Sequence, residues 1–93
     1  MRYSEDREQS AEILRLALAH MGRQTAALNP CSYALWYEHC AGLNPALSHT
    51  LEARLAANSP LTDAEVWRLY GEHIVARDIQ HYEGLRQELY RIL

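Results

Sequence analysis

The chain has 93 residues, enough for one small domain with a modest core and too few for two. Hydrophobic residues at 48% and charged ones at 23% are ordinary values for a soluble globular protein. Nine basic residues against 12 acidic ones leave a net charge of −3, and the cations are scattered singly, so nucleic acid is not an expected partner.

The first predicted helix runs from Ser4 to Met21. Glu5, Asp6 and Glu8 crowd its start, where negative charge complements the helix dipole. Ile13, Leu14, Ala17, Leu18 and Met21 recur at helical spacing, and Gly22 marks the stop. After a short connection, Asn29 caps a second helix, Pro30 to Ala41, with proline at the first helical position, where a missing N–H costs nothing. Leu28, just before the cap, is placed to staple against Tyr33. Along this helix Tyr33, Trp36, Tyr37 and Cys40 fall at i, i+3, i+4 and i+7 and make one broad aromatic face.

Gly42 is placed to end that helix in a left-handed conformation, and Asn44–Pro45 begins a third helix by the same device as Asn29–Pro30. This helix, Pro45 to Ala57, carries Leu47, Leu51 and Leu55 as a narrow stripe, and Asn58-Ser59-Pro60 breaks it. Thr62-Asp63-Ala64-Glu65 then reads as a capping box, with Leu61 and Val66 as its hydrophobic staple. From Asp63 the helical pattern continues to the last residue. Val66, Trp67, Leu69, Tyr70, His73 and Ile74 give a wide face that suits packing into a core. Further on, Tyr82, Leu85, Leu89 and Ile92 are spaced three, four and three, the seam spacing of a coiled coil and a candidate dimer seam. Gly84 weakens the helix there, so a bend, or a tail folded back onto the bundle, competes with an extended end.

No strand-like alternation competes with this reading. The expected fold is all-α: a small four-helix bundle over residues 1–77, with the end of a long C-terminal helix, 78–93, extending as a connector. The last helix stops without a glycine cap or a proline, an ending that predicts a piece of a longer protein. No signal peptide and no run of ~20 apolar residues is visible, so a cytoplasmic chain with no membrane partner is expected.

Chemistry is sparse. Five histidines and two cysteines are present, yet His39 and Cys40 are adjacent and point about 100° apart on a helix. His73 and His81 lie two turns apart with Arg77 between them. No spacing typical of a zinc site occurs, so no metal and no cofactor is expected. Cys31 and Cys40 would lie about 13 Å apart along one helix axis, too far for a disulfide. Cys40 reads as a small core hydrophobe. Paired carboxylates sit at helix starts, where capping accounts for them, and no glycine-rich phosphate loop appears. The aromatic set Tyr33, Trp36, Tyr37, Trp67 and Tyr70 has two readings, a ligand pocket or plain core with hydroxyl tips at the surface.

Pro30-x-x-Tyr33-x-x-Trp36-Tyr37, Gly42-x-x-Pro45-x-Leu47, Leu61-Thr62 and Leu69-Tyr70 together form a pattern. It resembles the helical N-terminal region that precedes GGDEF domains in bacterial diguanylate cyclases, over roughly Ser4 to Arg77. In such proteins the GGDEF domain makes cyclic di-GMP from GTP as a dimer, and the N-terminal region is taken to regulate or dimerise it. This chain has no GGDEF signature, no GTP-binding residues and no inhibitory Arg-x-x-Asp site. The resemblance therefore implies a non-enzymatic regulatory module, homodimeric through its C-terminal helix, with a downstream GGDEF domain in the same polypeptide as its partner. A small-molecule sensor with an aromatic pocket and a stand-alone protein–protein adaptor are the alternatives.

Overall fold

A computed structural model describes residues 3–92. Among them every regular element is helical: α1 (Arg7–Met21), α2 (Pro30–Cys40), α3 (Pro45–Ala56), α4 (Asp63–Tyr70), a π-helical turn (Gly71–Val75) and α5 (Ala76–Ile92). The last three run on without a break, so the expected bundle with one long final helix is what the chain forms.

Local chemistry sets the boundaries. Asn29 and Asn44 each accept a first-turn amide through their side chains, from Ser32 and Leu47, and a proline follows each cap. Thr62 and Glu65 form the expected reciprocal capping box, and the flanking Leu61 and Val66 are both buried in the core. The α1 start is corrected: Asp6 is the cap, paired with Gln9 in a second capping box, and the helix begins at Arg7, not Ser4. Gly42, at φ +69°, closes α2 as expected. Its N–H reaches the His39 carbonyl while the Leu43 N–H reaches that of Glu38, a double bond pattern that satisfies the last orphan carbonyls.

Helix α2 is the centre, packed against α1, α3 and α4. Its Leu35 and Trp36 join Ala17 and Met21 of α1, Leu47 and Leu51 of α3, Val66 and Leu69 of α4, and Ile74 in one buried cluster. The connections are stitched as well. The amides of Thr25 and Ala26 both donate to the Leu61 carbonyl, 3.0 Å each, and the Ala27 amide donates to Asp63 Oδ1 at 2.8 Å.

Several expected core positions lie outside. Leu14 and Leu18 are exposed, because α1 packs chiefly on α2 and so buries only a narrow strip around Ala17 and Met21. Leu55, at the end of α3, is exposed in the same way. Leu28 is 65% exposed too, against the staple expected of it. The Gln24 side chain fixes that connection instead, donating to the carbonyls of Ala26 and Ala27. Trp67 is 70% exposed, a correction to the wide core face expected of α4.

The irregularity of the last helix also falls elsewhere than expected. The helix passes through Gly84 unbroken, with no fold-back, and the disturbance is the π turn at Gly71–Val75. Its cause is register. Val66 and Leu69 are buried three residues apart, but the next buried residue, Ile74, comes five later. One extra residue in the turn brings Ile74 back under the core, and the Ala76 N–H reaches the Gly71 carbonyl accordingly.

Candidate functional site

Glu38 lies on the buried side of α2, three residues after Leu35, with no exposed surface. A carboxylate there must be matched, since an unpaired buried charge is costly. Arg77, in the first turn of α5, grips it with both guanidinium arms: Nη1 to Oε1 at 2.7 Å and Nη2 to Oε2 at 3.1 Å. The Tyr3 hydroxyl donates to Oε2 at 2.5 Å, and Asn44 Nδ2 donates to Oε1 at 3.2 Å. Burial alone would raise the Glu38 pKa; the bonds from Arg77, Tyr3 and Asn44 outweigh it, and the group sits below the usual carboxylate range.

The same bonds join five parts of the fold. Asn44 caps α3 through its side-chain oxygen while its amide nitrogen serves both Glu38 and the His73 carbonyl, at 3.1 Å, inside the π turn. A π turn displaces carbonyls from the regular helical ladder, and an outside donor there stabilises the displacement. Thus the N-terminal segment at Tyr3, α2, the α3 cap, the π turn and the base of α5 meet on one carboxylate. Arg77 is the last residue tied into the bundle through Glu38, and every residue of α5 from Ile79 to Ile92 is exposed.

The five aromatics singled out from the sequence divide into three places. Trp36 is core: it stacks on His20 at 4.7 Å and donates its indole N–H to Gln24 Oε1 at 2.9 Å. Trp67 stacks on half-buried Tyr70 at 6.3 Å, near the surface of α4. Tyr33 and Tyr37 line a pocket of about 330 Å³ together with Tyr3, Ser10 and Ala34. Tyr37 stands between the other two rings, meeting Tyr3 at 5.7 Å and 88°, and Tyr33 at 5.6 Å and 63°. Its hydroxyl donates to Glu5 Oε1 at 2.5 Å, and that bond to a carboxylate pushes the Tyr37 pKa up to about 12.

The seam residues Tyr82, Leu85, Leu89 and Ile92 all lie exposed on α5, as do Val75 and Ile79 before them. Cys31 and Cys40 are free and half-buried, and burial raises the Cys40 pKa. His39 hydrogen-bonds Ser48 Oγ through Nδ1 at 2.8 Å, while His20 buries Nδ1 without a partner; burial lowers the pKa of both rings. No group of three or more His, Cys, Asp or Glu side chains able to hold a metal ion occurs among the described residues.

Sequence reasoning passed over Tyr3, Glu38 and Arg77 as a set. The local signal is a carboxylate three residues after Leu35, on the side of α2 that also buries Ser32 and Trp36. No helix of the described residues is long and apolar enough to cross a membrane. No family model, curated protein or solved structure matches the chain.

Proposed function

We propose that the chain is a non-catalytic regulatory and dimerisation module of a bacterial diguanylate cyclase, passing the state of its bundle through the last helix to a GGDEF domain downstream. The observation that supports this reading is the contrast along that helix. Its base is clamped to the bundle by Arg77 on buried Glu38, and beyond Asp78 its apolar seam is uncovered. A parallel pair of such helices would set two output domains face to face in the cytoplasm.

The π turn supplies a means of switching. Losing or gaining its extra residue would rotate everything after it by about 100° about the helix axis. Such a change presents a different stripe of α5 to a partner, and the bonds from Arg77 and Asn44 to Glu38, with that from Asn44 to the His73 carbonyl, hold one of the two registers.

The test places Leu85→Glu and Leu89→Glu together in this chain and in the full-length protein. Sedimentation should show the wild type associating and the double variant monomeric, with cyclic di-GMP production reduced in the full-length variant. An unchanged oligomeric state in both backgrounds, with production unaffected, would overturn the reading.

A further inference from the structure

We propose that the pocket walled by Tyr3, Tyr33 and Tyr37 binds an organic cation of the quaternary-ammonium class, with Glu5 as its counter-charge. Three phenol rings line this open pocket, and Tyr37 meets Tyr3 at 5.7 Å and 88° and Tyr33 at 5.6 Å and 63°, so neighbouring rings stand as walls at steep angles to one another. The negative face of an aromatic ring attracts a cation, and several rings around one methylated ammonium add their attractions without demanding hydrogen bonds. A primary amine would seek acceptors inside such a box; a trimethylammonium group has no N–H to satisfy.

Two details strengthen the rings for that purpose. The hydroxyls of Tyr3 and Tyr37 each donate to a carboxylate, Glu38 and Glu5, at 2.5 Å. A phenol that donates to an anion gains electron density in its ring, so its face becomes a better partner for a cation. None of the five lining side chains is charged, and Glu5 is held beside the box by the Tyr37 bond, where it compensates an incoming positive charge. About 330 Å³ accommodates a trimethylammonium head with a short tail. This site does not depend on how α5 pairs, and binding can succeed or fail whichever way the dimer test falls.

The discriminating probe is choline against its neutral carbon isostere, in which a tert-butyl group replaces the trimethylammonium. Both fill the box equally; only one is charged. Titration of the chain followed by nuclear magnetic resonance, at constant ionic strength, should move the tyrosine ring signals and shift the choline methyl signal upfield. Choline should bind about tenfold more tightly than the isostere. Tyr33→Phe should keep binding within about threefold, whereas Tyr33→Leu should lose about tenfold. Glu5→Gln should weaken choline and leave the isostere unchanged. Equal binding of choline and isostere would overturn the proposal in favour of a merely apolar pocket. So would the absence of any shift with folded wild type at about 50 mM choline, where even a weak cage is occupied.

Discussion

At Glu38 the fold commits a charge to its interior, and Arg77 is what makes that tolerable. Arg77 is itself part-exposed, so removing it leaves a buried carboxylate without its cation and not the reverse. Arg77→Met keeps the aliphatic stem and deletes the charge. It should destabilise the domain by about 3–5 kcal/mol at neutral pH, the range for breaking one side of a buried pair. The pH dependence has a definite sign. In the wild type the folded-state pKa of Glu38 is lowered, so its contribution is complete above the unfolded value of about 4.3 and is lost as pH falls through the folded one. Without Arg77 the same carboxyl is governed by burial, takes a proton readily, and the variant loses little on acidification. Urea unfolding of both proteins at neutral pH and at about pH 4 should therefore show the gap between them narrowing in acid. An equal gap at both would mean that Arg77 acts through packing.

The elements show which parts of this structure can be read locally. Asn29, Asn44, Thr62 and Gly42 announce helix ends because each acts on backbone groups a few residues away, and all four do so here. The junction is different in kind. Tyr3 lies 35 residues from Glu38 and Arg77 lies 39, so no spacing in the chain brings them together. The π turn is equally hidden, since it comes from the register that α2 and α3 impose on Ile74 and His73 rather than from a residue's own preference. Trp67 looked like core for the same reason: period alone does not say how wide a face its neighbours cover. The two helical glycines separate these levels. Gly71 has helical dihedrals, φ −62° and ψ −46°, and a Cβ there, as at Gly84, would meet nothing within 4 Å. Alanine should favour the helix by about 0.5–1 kcal/mol at either place. Gly71→Ala acts where the helix is anchored to the core and should raise the thermal midpoint. Gly84→Ala acts where no residue is buried and should raise helical circular dichroism while leaving that midpoint unchanged. A raised midpoint from Gly84→Ala would show that the far half of α5 is coupled to the bundle.

On the scale of the molecule, the chain is a small bundle with an arm, measuring 51 × 31 × 21 Å. The final helix, 30 residues long, would span about 45 Å at 1.5 Å per residue, which accounts for most of the longest dimension. No residue of α5 is buried, and a helix of about 12–15 residues without packing is marginal in water. Backbone hydrogen bonds beyond Asp78 are thus held by the helix alone unless something covers the seam. The two halves of the molecule should therefore differ in amide exchange. Amides around Leu35, Leu51 and Leu69 open only with the core, whereas those from Gly84 to Ile92 should exchange with little protection in dilute solution. If a second copy covers Tyr82, Leu85, Leu89 and Ile92, raising the protein concentration should slow exchange in that half and not in the core. The Leu85→Glu/Leu89→Glu variant should stay fast at every concentration. Protection of α5 that is already high when the chain is monomeric would instead mean that the arm is stable by itself, and the seam would lose its claim to a self-pairing role.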